Sequence, residues 1–479
     1  MKYSFIRPAV LALALVSGLS LTGCKDPLDI APQQGIDVSV ALNTPEKVGG
    51  AVVGMYAKLD DPRLYGTDLI LVPELIGSDG YIRWDGTFAN YRQIALRTLN
   101  SLNTNAAGIW QRAYEDINQA NLVLSALPVV TNADLKAQYE GEALFMRGLL
   151  YFDLVRLYAQ QYQPGGPNAQ LGVPITLTAN TTIDQATVKL PRATVAQVYT
   201  RVIDDLTMAR QKLPESNGTR ATTYAAEALL ARVYLQQGNF TAARAAADDV
   251  ISNSGKSLAG SVAAIFANRN GSETLFELQQ NDQNNAGTSN DGLATYFASD
   301  GGVGRGDVRV LPAFSTQYED SDARGTDSLA ASATRKLIYL GDGARPGRLR
   351  SIKYRTYGQN IPIIRLAEMY LIRAEADVRA GNNADALADV NLIRRRSGAT
   401  PLTAVTLADV LHERQLELAF EGFHIYDLKR TNAVIVPAIP ASGIDPAVPA
   451  VNANDPLLIL PIPQHDINLN ELLVQNPGY

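Results

Sequence analysis

The sequence predicts a mostly α protein: a solenoid-like, right-handed scaffold of helix pairs that carries long loops and has little β structure. Three observations predict it. Apolar residues recur at three- and four-residue spacing through most of the chain, which lines them along one face of a helix. The stretches between these periodic segments are rich in Gly, Pro and Asn, residues that end helices and make turns. Finally, Ala231, Gly238, Asn239 and Ala243 recur in the same order and at the same spacing as Ala374, Gly381, Asn382 and Ala386.

The chain begins with Lys2 and Arg7 ahead of an apolar run from Ala9 to Leu21, the charged-then-apolar layout of a secretory signal. That run is too short to span a bilayer, which takes about 20 predominantly apolar residues. Leu21-Thr22-Gly23-Cys24 resembles the bacterial lipobox, so 1–23 reads as a lipoprotein signal peptide and Cys24 as the lipid anchor. Residues 24–43 read as a lipid-anchored linker. Acyl chains on Cys24 would hold the protein on a membrane at about 0.8 kcal/mol per buried methylene. Cys24 is also the only cysteine, which excludes an internal disulfide and a cysteine-based metal or catalytic cluster.

Helices are expected over Thr44 to Leu59, Ala107 to Leu127, Ala133 to Ala159, Val195 to Leu213, Tyr224 to Gln237, Thr241 to Asn253, Ile363 to Ala380, Ala384 to Arg396, and Leu407 to Lys429. The repeated Ala-Gly-Ala pattern resembles the tetratricopeptide hairpin. Its alanines let two antiparallel helices approach, and Gly238 and Gly381 sit where the first helix ends in a left-handed residue. About four such pairs would stack, each burying its apolar face against the next. Long irregular insertions are expected at 60–105, 254–362 and 431–461, with a shorter one after Ala159. Loops of this length usually carry function, so binding is expected there, on the domain 44–479.

A net charge of −6 argues against nucleic acid, which asks for a basic stripe, and no polybasic membrane patch is present. No Gly-x-Ser-x-Gly elbow or His-Glu-x-x-His motif occurs. The three histidines, His412, His424 and His465, do not cluster in sequence.

Several blocks, in order, resemble the SusD/RagB family. They include Trp110 with Tyr114, Asn118 and Asn121; Glu142, Arg147, Tyr151 and Tyr158; and Leu190-Pro191-Arg192-Ala193-Thr194-Val195 with Asp204-Asp205-Leu206. Near the C-terminus stand Ile364 to Ala376, then Glu413-Arg414, Glu417-Leu418, Phe420-Glu421-Gly422, Tyr426 to Arg430, and the ending Gln475-Asn476-Pro477-Gly478-Tyr479. His424 departs from the pattern, since the family more often has Arg there. The resemblance implies a SusD-like fold and a non-enzymatic outer-membrane lipoprotein facing outward. It also implies a SusC-like TonB-dependent transporter as partner and an oligosaccharide as ligand, or a peptide in the RagB-like branch. A surface glycoside hydrolase is the rival class, because its two carboxylates leave no sequence motif.

Glu413, Glu417 and Glu421 lie four apart on one helical face near Arg414 and Arg430, and they read as packed ion pairs rather than catalytic groups. Asp322 and Arg324 read as structural in the same way. Ligand contacts are sought among loop aromatics and polar groups, since an aromatic face covers the apolar face of a sugar ring. The candidates are Trp84, Tyr81, Asp79 and Tyr65 in 60–105, with Tyr296 and Phe314 in 281–327. For Trp84 and Tyr81 two readings stay open, an exposed platform or a side chain packed on the frame. No cofactor is expected. The acid-rich loop offers carboxylates of the kind calcium takes, but without the spacing of an EF-hand loop. Gly302 to Gly306 lacks the Lys-Ser/Thr ending of a phosphate loop.

Overall fold

The computed structural model describes residues 41–78, 80–287, 291–326, 336–435, 448 and 450–479. The signal peptide, Cys24, most of the linker and Asp79 lie outside the described residues.

The frame is built from α1 (Pro45–Lys58), α2 (Asp68–Ile76), α3 (Thr104–Ala126), α4 (Ala133–Tyr158), α5 (Val195–Lys212), α6 (Thr223–Gln237), α7 (Phe240–Asn253), α8 (Leu366–Ala380), α9 (Asn383–Ser397), α10 (Leu407–Glu417) and α11 (His424–Arg430). Capping residues set most starts. The side chains of Thr44, Asn132, Thr222 and Asn239 each accept a backbone N–H of the first turn, and Thr194 and Thr406 form reciprocal capping boxes with Gln197 and Asp409.

From α3 onward each long helix packs on the next, and α1 closes the first pair by lying on α3. The repeat expected from the sequence is present. Gly238 and Gly381 end α6 and α8 with φ of 71° and 84°. Ala231, Ala243, Ala374 and Ala386 are all fully buried at the helix contacts. A methyl on Gly238 would also meet Pro164 Cγ at 2.8 Å.

Short strands make three antiparallel two-stranded ladders. They are β1 (Ile82–Trp84), β2 (Thr274–Leu278), β3 (Val308–Val310), β4 (Ile338–Leu340), β5 (Leu349–Ser351) and β6 (Ile361–Arg365). The insertion 254–362 leaves the stack after α7 and re-enters it through the β2–β6 ladder, so that α8 can pack on α7. The β1–β3 ladder ties that insertion to 60–105, pairing Ile82 with Val310, Arg83 with Arg309 and Trp84 with Val308.

Three boundaries differ from the sequence reading. Residues 60–105 are not irregular throughout, because the apolar run Asp68-Leu-Ile-Leu-Val-Pro-Glu-Leu-Ile76 forms the wholly buried α2. Residues Ile363 to Arg365 are strand rather than helix, because β2 offers them a ladder. The helix expected over Leu407 to Lys429 breaks into α10 and α11 at a turn where Phe420 and Gly422 have φ of 69° and 81°. The break has a purpose: it frees the carbonyls of Glu417 and Ala419, which accept from the buried Lys353 Nζ at 3.0 and 2.7 Å.

The glutamates of α10 and this turn are packed ion pairs, as their spacing suggested. Arg365 donates to Glu273 at 2.9 Å, Glu417 at 2.6 Å and Glu421 at 2.8 Å. Arg324 donates to Asp322 at 2.7 Å, Glu413 at 2.6 Å and Glu417 at 3.1 Å. Arg396 pairs with Glu273 and Glu417, and Arg394 with Glu413. Neighbouring cations hold the Glu417 carboxyl well below the usual carboxylate range despite its burial.

Candidate functional site

The β1–β3 ladder decides which loop residues face outward. Side chains alternate along a strand, so Ile82 and Trp84 turn into the core and Arg83 turns away from them. Trp84 is 3% exposed. It is held between Tyr91, 4.9 Å away, and Tyr296, 5.4 Å away between ring centres. Gly86 lies on the indole so closely that a methyl there would sit 2.4 Å from Trp84 Cζ2. Tyr81 is 2% exposed, stacked on Phe420 at 5.1 Å and edge-on to Phe314 at 4.5 Å. Its hydroxyl accepts the Phe420 backbone N–H. Tyr65 is buried as well and donates to Asp153 Oδ2 at 2.6 Å.

The exposed platform considered for Trp84 and Tyr81 is therefore corrected to the other reading, a side chain packed on the frame. The same holds for Tyr65, Tyr296 and Phe314, whose ring faces are covered by core neighbours. Asp79 lies outside the described residues. The candidates do converge in two sets. Trp84 and Tyr296 share one aromatic group, and Tyr81 and Phe314 share another with Phe420 and Tyr318.

The first set supports an aromatic that does reach solvent. Phe88 is 36% exposed, and Tyr296 meets it edge-on at 6.4 Å. The guanidinium of Arg305 lies 4.7 Å from the centre of the Phe88 ring, and Arg305 Nη2 donates to Thr87 Oγ1 at 3.3 Å. Around this ring, arginines gather on two carboxylates. Asp85 faces Arg83 at 3.9 Å, Arg309 at 3.5 Å and Arg348. Asp307 faces Arg305 at 3.3 Å and Arg345. A ring about one-third exposed can cover a sugar face while the donors beside it hydrogen-bond the sugar's oxygens. Phe88 could have been singled out by its place just past the turn at Gly86, and the arginines by counting them over 83–97 and 305–350.

Other regions offer less. A polar cleft of about 340 Å³ is lined by Glu215, Asn217, Arg220, Tyr224, Lys256 and Glu277. Another of about 220 Å³ is lined by Glu319, Asp322, Arg394, Asp409 and His412. Among the described residues no group of three or more His, Cys, Asp or Glu side chains is placed to hold a metal ion. His424 sits 5.0 Å from the Tyr81 ring and beside Gln415. No described helix is long and apolar enough to cross a membrane.

Two family models match the chain. Residues 33–235 match the one described as starch-binding associating with outer membrane, and residues 347–479 match the SusD family. A SusD-like protein of Formosa agariphila is 28% identical over 96% of this chain and 98% of its own length. The starch-binding protein SusD of Bacteroides thetaiotaomicron is 33% identical, over 29% of this chain and 24% of its own. A crystal structure of a SusD superfamily protein from Bacteroides vulgatus superposes with a TM-score of 0.79 at 25% identity, covering 91% of this chain and 99% of that one. With both ends of the chain matched and the fold shared along nearly its whole length, the chain belongs to the SusD/RagB family.

Proposed function

We propose that this chain is an outward-facing outer-membrane lipoprotein, anchored by Cys24, that binds nutrient oligosaccharides without turning them over and passes them to a SusC-like TonB-dependent transporter. The observation that carries the reading is the junction of the two insertions. There the β1–β3 ladder fixes a solvent-exposed Phe88, backed by buried aromatics, beside a set of hydrogen-bond donors. Family membership and the lipobox at Cys24 support the location and the partner. The helical frame contributes rigidity, since its buried ion pairs and capped helices leave the loops as the adaptable part.

Extraction of the native membrane in mild detergent, with an affinity tag on this chain, tests the partnership. A large β-barrel is expected to co-purify, and recovery of the chain alone would count against delivery to a transporter. Cys24→Ser should release the protein from the membrane fraction. Incubation of the pure protein with glycans should yield binding and no new reducing ends, whereas new reducing ends would favour the hydrolase.

A further inference from the structure

We infer that the chain has a second saccharide site, in the polar cleft between the α5–α6 connection and β2, which seats a mono- or disaccharide unit of an uncharged sugar. This rests on the glycan-binding reading above and adds a place of contact apart from Phe88.

The cleft has room for about 340 Å³ and is lined by the connection from Glu215 to Thr222, by Tyr224 on the first turn of α6, by Lys256 and Asn270, and by β2 from Thr274 to Glu277. That volume stands near the lower end of the range for small-molecule sites, about 300–1,000 Å³, and suits a short saccharide rather than a run of polymer. None of its lining residues belongs to 60–105 or 281–350, the segments that build the Phe88 face. The walls are fixed before a ligand arrives. Asn217 accepts from Gln138 Nε2 at 2.8 Å and donates to the Ala221 carbonyl at 2.9 Å, and Arg220 pairs with the buried Glu142 at 3.1 Å. At β2, Glu277 Oε1 accepts the Asn270 N–H at 2.5 Å and so holds the turn that precedes the strand.

The oxygens left unmet at the cleft are the second observation. Glu277 and Thr274 are only 5% and 4% exposed, yet Glu277 Oε2 and Thr274 Oγ1 have no hydrogen-bond partner among the described residues. Buried oxygens without a donor cost stability, and a hydroxyl reaching them from the cleft recovers it. Arg220 and Lys256 bring donors to the same space, and they balance Glu215 and Glu277, so the lining carries no net charge and favours a neutral ligand over an ion. Sugar hydroxyls suit such a lining because each both donates and accepts: it can give its proton to a carboxylate while accepting from an ammonium or a guanidinium. Tyr224 is half-buried and lines the cleft, so its ring can cover the apolar face of a pyranose. The cleft has less aromatic surface than the Phe88 face, and its donors and acceptors are more evenly matched.

Saturation-transfer NMR on the intact protein tests this with glucose, galactose, mannose, xylose and N-acetylglucosamine as probes, and with glycine and leucine as zwitterionic counterparts. Transfer to at least one sugar is expected. Thr219→Trp, which fills the cleft from an exposed position, should abolish it, and Tyr224→Ala should weaken the affinity about tenfold. Phe88→Ala should leave it in place. Thermal unfolding in the parent's range shows that each variant is folded, and if Thr219→Trp fails that check, Tyr224→Ala decides alone. Transfer that survives the cleft substitutions would overturn the second site, and its loss in Phe88→Ala would then keep glycan binding on the loop face. Transfer to the amino acids alone, blocked by Thr219→Trp, would overturn the sugar class. Transfer to none of the probes would overturn the site as well, and retardation of the same protein in gels cast with starch or laminarin would show that the glycan-binding reading stands without it.

Discussion

Two groups of arginines in this molecule differ both in burial and in what surrounds them: those of the frame are at most 10% exposed, while those of the loop face, Arg350 apart, reach up to 39%. In the helical frame, Arg324, Arg365, Arg394, Arg396 and Lys353 meet Glu273, Glu319, Asp322, Glu413, Glu417 and Glu421, so that every cation there has a carboxylate partner. On the loop face, arginines outnumber the carboxylates they share, and Arg350 is left with two unpartnered donors. The first group is compensated in charge within the fold, although Arg396 Nε is left without a hydrogen-bond partner. The second shares Asp85 and Asp307 among several guanidinia and is partly open to solvent. The difference separates residues that hold the fold from residues that use it, although both are arginines in loops or helices of the same domain.

The sharpest way to break the frame is Arg365→Met. It leaves Glu417 to Arg324 and Arg396 and Glu421 to Lys353 alone, and removing one cation from a buried network of this kind costs about 3–5 kcal/mol. Denaturant unfolding should show that loss, or the protein should fail to accumulate. A stability within 1 kcal/mol of the parent would mean the glutamates find other partners and the frame is not held by charge matching.

A buried carboxylate without an arginine gives the next largest effect. Glu74 on α2 is fully buried. Its Oε1 accepts the Gly422 N–H at 2.6 Å, and Oε2 has no partner. Burial pushes it up to about 7, against the pull of His424, Tyr81 and Lys353. Because this folded-state value exceeds the unfolded one of about 4.3, its contribution is full below pH 4.3 and is lost as the pH rises through 7. Glu417 runs the other way: its lowered value makes a contribution that is present at neutral pH and lost on acidification. Glu74→Gln should therefore remove a decline on the order of 2 kcal/mol between pH 5 and pH 8. Unfolding curves across that range that stay parallel to the parent would show that Glu74 is already ionised in the fold.

Much of the frame was legible in the sequence because its signals are local. Helical spacing, the Ala-Gly-Ala repeat and the four-residue spacing of Glu413, Glu417 and Glu421 each follow from neighbours a turn apart. The misread boundaries fall where a distant partner decides. Ile363 to Arg365 become strand only because Thr274–Leu278 pairs with them, and the break after Glu417 is fixed by Lys353. The site was legible as a region but not as residues. Both loops were singled out, yet Trp84 and Tyr81 turned inward, because strand alternation in a three-residue ladder cannot be phased from sequence. Phe88 and the arginines could be noticed one by one, but their grouping became visible only once the ladder had joined residues more than two hundred positions apart.

On the loop face the expected changes are smaller, and they fall on binding rather than folding. Phe88→Ala removes a ring that is already one-third exposed, so stability should move by less than about 1 kcal/mol. Glycan affinity should fall about tenfold through lost stacking. Unchanged affinity, measured by titration calorimetry, would move the ligand off this face.

The smallest effect on stability carries the comparison furthest. Arg350 and Arg365 are both fully buried arginines, yet Arg350→Met removes a charge that no carboxylate contacts directly, together with one hydrogen bond to Val308. Replacing an uncompensated buried guanidinium by an apolar side chain of similar length should change stability by no more than about 1 kcal/mol, in either direction. Run beside Arg365→Met in the same denaturant series, the two substitutions should differ by at least 2 kcal/mol. If they cost the same, Arg350 is compensated within the fold as fully as Arg365 is. If they differ as expected, Arg350 is held in place by packing and its bond to Val308, and Arg365 by the carboxylates it meets.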